Sequence, residues 1–296
     1  MRVLVTGGCG FIGSHLVETL KSLGYEVLVV DNLHTGTLDN IRGMDVHFLR
    51  RDCGALTAEE VSHIDGIVHL GIYSSSPMYR KDPSLVGKAV TDFLNMLALA
   101  RTLDVRMVWA STSSIYNGNP LPWREDMPIL VRDYYSEARY FMERLADLHY
   151  DWYKTETVGL RFFSVYGPRE EAKGQFANLV SQFLWAMREG NPPIIYGDGT
   201  QKRDFTHVHD IVKGILRAFD SHVEHDVFNL GTGVSCSLNE VVDLINGVMH
   251  SDVQPEYVDN PIKGYITETL ADITKARTML DFRADIDLEK GIQTLL

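Results

Sequence analysis

A tyrosine and an arginine four residues apart are the first candidates for chemistry in this sequence. They are Tyr135 and Arg139, in the helix-like segment DYYSEARYFMERL, residues 133–145. Residues four apart lie on one helical face, so both side chains are predicted to point at the same object. A phenol beside a fixed positive charge can exchange a proton with a substrate hydroxyl. An ordinary amphipathic helix has the same spacing, so a cofactor, a substrate and a third catalytic group must be sought elsewhere.

A glycine-rich turn is the candidate cofactor site. TGGCGFIG carries Gly7, Gly10 and Gly13 between a strand-like and a helix-like run. Such glycines allow a tight turn, close approach of a pyrophosphate and close packing of helix on sheet. The alternative is a glycine-rich connection without a ligand. Asp31 ends the next strand-like run, where a carboxylate binds an adenosine ribose diol and repels a 2′-phosphate. The pattern predicts NAD rather than NADP.

Polar groups also end two further strand-like runs. Asp52 ends the third run and is either a partner of the adenine amino group or a solvated carboxylate. The hydroxyls from Ser111 to Ser114 end the fifth run, at the edge where doubly wound sheets bind ligands. They also fit a turn in which hydroxyls satisfy the backbone.

Alternating strands and helices must position these groups. The strand-like runs are RVLVTG, YEVLVVD, DVHFLRRD, GIVHLG, VRMVWAS and TVGLRFFSVYG, with amphipathic segments between several of them. TAEE, residues 57–60, predicts the capped start of a short helix. The alternation predicts right-handed crossovers and a doubly wound parallel sheet, an α/β fold of the Rossmann type.

The pattern loosens after residue 168. Two helices are predicted, in FANLVSQFLWAMREG and HDIVKGILRAF, and two short strands around a turn in PPIIYGDGTQKRDFTHV. Ser237 and Glu240 predict a capping box. We therefore expect an NAD-binding Rossmann domain over residues 1–168, with a returning segment around 204–233, and a smaller C-terminal α/β substrate-binding domain over 169–296.

Composition narrows the function classes. The 296 residues are 45% hydrophobic and carry a formal net charge of −12, which argues against nucleic acid or an anionic membrane as partner. The three cysteines are scattered and suggest neither a disulfide framework nor a zinc site. His207 and His209 could be metal ligands, but a structural role, with Asp210 capping the next helix, is favoured and no metal is expected. No signal peptide or apolar stretch of ~20 residues is evident, so we expect a cytoplasmic protein.

The ordered motifs together resemble a known family. They are TGGCGFIG with Asp31, the S-T-S-S-I-Y run, Tyr135 with its cation, RFFSVYGPR and GDGTQKRDFTHVHD. The set resembles the extended short-chain dehydrogenase/reductases, specifically the NAD-dependent nucleotide-sugar epimerases and dehydratases, and is most similar to the UDP-glucose 4-epimerases. The resemblance spans essentially the whole chain. It implies a nucleotide-diphosphate sugar as substrate and a homodimer formed through the helices around Leu94, Leu97, Arg101 and residues 140–148.

The resemblance implies roles for individual residues. Thr112 is the catalytic hydroxyl that binds the reacting sugar oxygen, and Tyr135 is the general base. Arg139 stands where the family has a lysine that binds the nicotinamide ribose and stabilises the tyrosinate. The implied cofactor-binding residues are Gly7, Gly10, Phe11, Ile12, Gly13, Asp31, Asn32, Asp52, Cys53, Leu70, Gly71, Tyr135, Arg139 and Phe163.

The implied substrate-binding residues include departures from the family pattern. Ser164 replaces a phosphate-binding asparagine, and Ile262, with Lys263 adjacent, replaces an arginine that grips the diphosphate. The full substrate set is Thr112, Ser113, Ser164, Asn178, Arg203 and Lys263.

The residue after the catalytic threonine separates the reactions of the group. Its dehydratases and uronate decarboxylases usually carry an acid there, whereas Thr112 is followed by Ser113 and Ser114. This favours 4-epimerisation, by transient oxidation at C4 of UDP-glucose, UDP-galactose or a related UDP-sugar. The alternatives are a dehydratase or decarboxylase, or a catalytically weak NAD-binding regulatory protein, which Arg139 and Ser164 would favour.

Overall fold

The computed structural model describes residues 1–61, 63–262 and 264–296. The strands are β1 (Arg2–Thr6), β2 (Glu26–Asp31), β3 (His47–Arg50), β4 (Gly66–His69), β5 (Met107–Thr112), β6 (Thr157–Phe162), β7 (Val165–Tyr166), β8 (Ile194–Tyr196), β9 (Lys202–Arg203), β10 (Thr206–His207), β11 (His225–Leu230), β12 (Cys236–Ser237) and β13 (Glu256–Val258). The α-helices are α1 (Phe11–Ser22), α2 (Ser76–Lys81), α3 (Leu85–Leu103), α4 (Tyr134–Tyr153), α5 (Leu179–Arg188), α6 (Val208–Phe219), α7 (Leu238–Met249), α8 (Thr274–Leu280) and α9 (Leu288–Gln293).

Seven parallel strands form the main sheet, in the order β11-β6-β5-β4-β1-β2-β3. The chain runs outward from β1 to β3 and then crosses back to β4 on the other side of β1. The order therefore reverses between β1 and β4, which is where doubly wound sheets open a ligand crevice. The predicted α/β doubly wound fold is confirmed. β11, which lies within the predicted returning segment, joins the sheet beside β6.

Helices cover both faces of this sheet, which explains why its strands read as nearly continuous apolar runs. On one face, Leu16 of α1 and Ile215 of α6 are fully buried against strand residues. On the other face, Phe93 of α3 and Met142 of α4 are fully buried. Each such side chain stabilises the fold by about 1.5–3 kcal/mol relative to exposure. The two cores fix the strand ends that carry the polar candidates.

A third core lies among the C-terminal elements. It packs Leu184 of α5, Val241 of α7 and Ile292 of α9 together. The predicted capping box at the start of α7 is confirmed, since Ser237 Oγ accepts from Glu240 N–H at 3.2 Å. The boundary between the two predicted domains, 1–168 and 169–296, stays a prediction.

The prediction of two short strands around a turn in residues 192–208 was incomplete, because β8 and β9 flank the turn but a third strand, β10, follows them. Three strands occur there, and each pairs with a distant segment: β8 with β13, β9 with β12 and β10 with β7. Positive φ angles of 87° at Gly197 and 79° at Gly199 turn the chain between β8 and β9. The three strands do not pair with one another, so their positions depend on long-range pairing that the local sequence does not show.

The predicted helix after TAEE was also wrong. Thr57 Oγ1 accepts from Glu60 N–H at 3.4 Å and Glu60 Oε2 accepts from Thr57 N–H at 3.1 Å, so the capping hydrogen bonds exist. Turns, not a helix, continue through Val61. The chain must be extended again at Gly66, where β4 begins, and so few residues do not repay the cost of nucleating a helix.

The histidine-rich segment at the start of α6 has a structural role in this fold. His207, rather than Asp210, caps α6, since its Nδ1 accepts from His209 N–H at 3.3 Å. Asp210 instead accepts from the backbone N–H groups of Asp285 and Ile286, both at 3.0 Å. This corrects the capping prediction. Among the described residues there is no cluster of three or more His, Cys, Asp and Glu side chains arranged to hold a metal.

The surface expected to form a dimer lies on α3 and α4. Leu94 is 41% exposed and Phe141 is 46% exposed, whereas Leu97 is fully buried in the core and cannot face a partner. The homodimer stays a prediction. Within the described ranges, none of the helices is long and apolar enough to cross a membrane.

Candidate active site

A cleft of about 410 Å³ opens at the carboxyl ends of the central strands. Gly7 follows β1 in it, Asp31 ends β2, Leu70 follows β4 and Thr112 ends β5. Side chains placed at these strand ends converge because the strands are parallel. The strand order alone therefore gathers residues that are more than a hundred positions apart in sequence.

The glycine turn brings backbone to the floor of this cleft. Gly7 has a φ of 71°, and a Cβ on it would lie 2.7 Å from Gly71 N. A Cβ on Gly13 would lie 2.0 Å from Gly7 O. Neither position accepts a side chain, which explains the glycine spacing. α1 starts at Phe11 without a side-chain cap, so its first N–H groups are free to bind an anion such as a pyrophosphate.

Two carboxylates lie at the far end of the cleft. Asp31 is buried and accepts from Cys9 N–H at 3.0 Å and Leu33 N–H at 2.7 Å; burial raises its pKa. The backbone N–H of Gly10 is a third donor to this carboxylate. A carboxylate has about four acceptor sites, so one is left for a ribose hydroxyl. The hydrogen bond from Asn32 Nδ2 at 2.6 Å lowers the pKa of Asp52, as does Lys88 at 3.5 Å. This end suits the adenosine half of a dinucleotide.

Thr112 and Tyr135 line the same cleft from two different elements. Thr112 ends β5 and caps a short 3-10 helix, where its Oγ1 accepts from Ser114 N–H at 3.2 Å. Tyr135 is the second residue of α4, which begins where Asp133 accepts from Ser136 N–H at 2.7 Å. Both side chains are thus attached to capped helix starts, so both are held by short, hydrogen-bonded segments.

Arg139 lies beneath the phenol of Tyr135. Its guanidinium carbon is 5.0 Å from the Tyr135 ring centroid, and the residue is only 3% exposed. Its Nη2 donates to Tyr73 O at 2.8 Å. Among the residues that the structure describes, no carboxylate forms an ion pair with it. The positive charge is therefore uncompensated next to the phenol. Burial lowers the pKa of nearby His69 to about 3, and the charge of Arg139 adds to this shift.

A buried hydrogen-bond network ties α4 to the end of β5. Arg161 donates to both Glu143 oxygens, at 2.9 and 2.6 Å, and Glu143 also accepts from Ser111 Oγ at 2.6 Å. Arg161 further donates to the Tyr116 hydroxyl, which donates to Asn229 Oδ1 at 2.9 Å. Ser111 precedes Thr112, and Glu143 lies two helical turns beyond Tyr135. The network therefore fixes the two candidate catalytic elements relative to each other.

The opposite end of the cleft carries the predicted substrate residues. Asn178 caps α5, with its Oδ1 accepting from Val180 N–H at 3.0 Å, so its side-chain NH₂ is available to a ligand. Arg203, on β9, donates to the carbonyls of Lys202 and Ile266, and burial lowers its pKa. Ser164 has a φ of 26° and lines the cleft. Lys263 lies outside the described residues.

The structure corrects one cofactor residue. Phe163 is fully buried in a cluster with Ile115, Tyr116 and Trp123, while its neighbours Phe162 and Ser164 line the cleft. Adjacent residues of extended chain face opposite ways, so Phe163 points away from the ligand space. The other predicted residues within the described ranges all line the cleft: Gly7, Gly10, Phe11, Ile12, Gly13, Asp31, Asn32, Asp52, Cys53, Leu70, Gly71, Thr112, Ser113, Tyr135, Arg139, Ser164, Asn178 and Arg203.

Several cleft residues were missed by sequence reasoning, among them three serines and a lysine. Ser74, Ser75 and Ser76 line the cleft just after β4. Their position beyond a strand end, next to the crevice, was a signal that could have identified them. Lys173 also lines the cleft, from the connection between β7 and α5. No motif or spacing marks it, since its place depends on how that connection folds.

Known proteins share this architecture over the whole chain. The family model described as the NAD dependent epimerase/dehydratase family matches residues 3–231. A candidate UDP-glucose 4-epimerase of Methanocaldococcus jannaschii is 33% identical over 306 residues, covering 99% of this chain and 97% of that one. UDP-glucuronic acid decarboxylase 2 of Arabidopsis thaliana is 32% identical over 313 residues, covering 100% of this chain and 67% of that one.

Solved structures agree with the sequence comparisons. The UDP-N-acetylglucosamine 4-epimerase of Methanobrevibacter ruminantium, in complex with UDP-N-acetylmuramic acid, superposes with a TM-score of 0.94 at 28% identity, covering 99% of this chain and 96% of that one. The resemblance read from the motifs is confirmed, as is NAD as the cofactor of the family. The chain belongs to the NAD-dependent epimerase/dehydratase family of enzymes that act on nucleotide sugars.

Proposed function

We propose that this protein is an NAD-dependent 4-epimerase of a UDP-sugar. The observation that carries the proposal is the meeting of Thr112, Tyr135 and the buried Arg139 in one cleft with the glycine turn. The N–H groups at the start of α1, which have no side-chain cap, and the remaining acceptor site of Asp31 fit NAD at one end of this cleft. Asn178 and Arg203 fit a diphosphate at the other end.

Each residue has a definite task in this proposal. NAD, when bound, supplies a hydride acceptor that returns the hydride to the sugar. Tyr135 accepts the proton of the C4 hydroxyl, and Thr112 hydrogen-bonds the same oxygen. Arg139 stabilises the tyrosinate, because its charge is close and has no carboxylate partner within the described chain. Epimerisation is complete when the keto-sugar turns its other face before the hydride and proton return.

The placement of acids supports epimerisation over elimination. Three carboxylates line the cleft among the described residues: Asp31, Asp52 and Asp92. Asp31 ends β2, Asp52 lies just beyond β3, and Asp92 lies 3.1 Å from Lys88 on α3. All three therefore belong to the cofactor end. Directly after Thr112, the described residues that line the cleft are Ser113 and Ser114, and serine hydroxyls cannot act as the acid or base that loss of water requires near neutral pH.

Decarboxylation of a UDP-uronic acid is the second candidate. The 32% identity to UDP-glucuronic acid decarboxylases over the full chain favours it. The two candidates share oxidation at C4 and differ in the fate of the keto-sugar, so their products distinguish them.

Incubation with a panel of nucleotide sugars tests the proposal. We expect proton NMR to show a mixture of C4 epimers from UDP-glucose, UDP-galactose, or one of their N-acetylated or uronic forms, and no reaction of the free sugars. A pentose or a dehydrated sugar as product would refute epimerisation. Tight NAD binding without turnover of any sugar would favour a regulatory protein.

A further inference from the structure

Lys173 is placed at the junction of the two halves of the cleft. Its Nζ lies 5.1 Å from the ring centroid of Phe11, the first residue of α1. It also lies 2.7 Å from Oε1 of Glu170, which accepts from Asn178 N–H at 3.1 Å through the same oxygen. The ammonium group is therefore between the start of α1, which suits a cofactor pyrophosphate, and the segment of Asn178, which suits a substrate diphosphate.

Glu170 holds this lysine in place. Glu170 is fully buried, and its other oxygen accepts from the Ser181 hydroxyl at 2.6 Å. The Lys173 side chain is only 16% exposed. An ammonium group has three N–H donors, and Glu170 takes one of them. Lys173 therefore presents further donors to the cleft from a fixed position.

The other cations of the cleft lie away from this junction. Arg51 directly follows β3, and Lys88 lies 3.5 Å from Asp52, so both belong to the adenosine end of the cleft. Arg139 lies beneath Tyr135. Among the described residues that line the cleft, this leaves Lys173 and Arg203 to meet the charge of phosphate groups.

We propose that Lys173 is a diphosphate-binding residue that Glu170 positions. The ligand chemistry, a nucleoside diphosphate, rests on the proposed function. It can come from the NAD pyrophosphate or from the diphosphate of the nucleotide sugar. In both cases Lys173 donates charge-assisted hydrogen bonds to phosphate oxygens.

The competing explanation is that Lys173 only neutralises buried Glu170. Lys173→Gln alone cannot separate the two roles, because it leaves a buried carboxylate without its cation. The double variant Glu170→Gln/Lys173→Gln removes both charges together. Glu170→Gln is the matched control, because it keeps the lysine and removes only the carboxylate. Circular dichroism and thermal unfolding establish that each variant is folded.

Binding is measured with two phosphate ligands. UDP is titrated calorimetrically into NAD-loaded protein, and NAD dissociation is measured by ultrafiltration of the same protein. We expect the double variant to weaken the binding of UDP, NAD or both by about tenfold or more, as loss of a charge-assisted hydrogen bond does. Glu170→Gln keeps the lysine and an amide oxygen that can still accept from it, so Lys173 stays positioned and the affinity for both ligands should fall by no more than about threefold.

The two binding measurements show which ligand supplies the phosphate groups that Lys173 binds. Weakened UDP binding alone assigns Lys173 to the substrate, weakened NAD binding alone assigns it to the cofactor, and weakening of both assigns it a bridging role. Unchanged affinity for both ligands in the double variant overturns the proposal, as does equal weakening by Glu170→Gln. Failure of the proposed function would appear separately, as absence of sugar turnover in the parent protein. The UDP and NAD binding measurements do not depend on turnover and can still be interpreted in that case.

Discussion

The charge of Arg139 should set the pH at which the enzyme works. With 5.0 Å between its guanidinium carbon and the Tyr135 ring centroid, and an effective dielectric constant of about 20, Coulomb's law gives about 3 kcal/mol of attraction for a tyrosinate. This free energy corresponds to a factor of about a hundred in rate. Arg139→Ala should therefore lower the rate at pH 7 by up to about a hundredfold and move the acidic limb of the rate profile to higher pH.

Conservative variants separate charge from packing. Arg139→Lys keeps a cation and should retain a measurable fraction of the rate, with a profile closer to the parent than that of Arg139→Ala. Tyr135→Phe should lose at least the ~10²–10⁴-fold typical of general base catalysis while NAD binding and folding persist. Tyr134→Phe is the matched control, since Tyr134 is 53% exposed, and should have little effect.

The assay is the initial rate of sugar conversion between pH 6 and pH 10, with NAD occupancy checked for each variant. A rate profile for Arg139→Ala that keeps its midpoint would refute the electrostatic role of this residue. An inactive Tyr134→Phe beside an active Tyr135→Phe would show that the catalytic pair is misplaced by one residue.

Two further predictions concern the buried polar groups. Glu143→Gln leaves the buried Arg161 without its anionic partner. This variant should lower the free energy of unfolding, measured by urea denaturation, by about 3–5 kcal/mol. An unchanged urea midpoint would contradict this prediction. Burial lowers the pKa of His15 and of His207 to about 4, below the ordinary value of 6.5, so the folded state keeps both neutral. The stability that they contribute is complete above about pH 6.5 and is lost as the pH falls toward 4, at about 1.4 kcal/mol per unit for each histidine. His207→Gln should flatten this acid loss in denaturation measured from pH 7 to pH 4.5.

The main sheet could be predicted from the sequence because its strands are buried on both faces. Runs such as Val27–Val30 are then apolar throughout and stand out from the amphipathic helices beside them. The glycine turn was equally clear, because Gly7 and Gly13 admit no side chain. The positions of the polar groups could be predicted from the strand ends, since parallel strands gather their carboxyl ends at one edge.

The features that were missed depend on distant pairing or on local backbone geometry. The strand Lys202–Arg203 exists because it pairs with Cys236–Ser237, and two residues carry no periodicity that predicts this. Phe163 was assigned to the cofactor by the family resemblance, and nothing in RFFSVYG itself shows which phenylalanine faces the ligand. The folded structure shows which one it is, since Phe162 lines the cleft and Phe163 is buried in a hydrophobic cluster. Lys173 lines the cleft beside its buried partner Glu170, and no motif predicts that Glu170 is buried.

The fate of the hydrogen at C4 tests the central claim most directly. Epimerisation by hydride removal and return keeps that hydrogen at C4. Loss of water across C5 and C6 instead leaves C4 as a ketone and delivers the hydride to another carbon. The measurement is incubation of UDP-[4-²H]glucose, or the same labelled form of whichever sugar reacts, with NMR and mass spectrometry of both epimers afterwards. We expect deuterium to be retained at C4 in the two epimers, with no net reduction of NAD. Loss of deuterium from C4, or a dehydrated or decarboxylated sugar as product, would contradict the proposed 4-epimerisation.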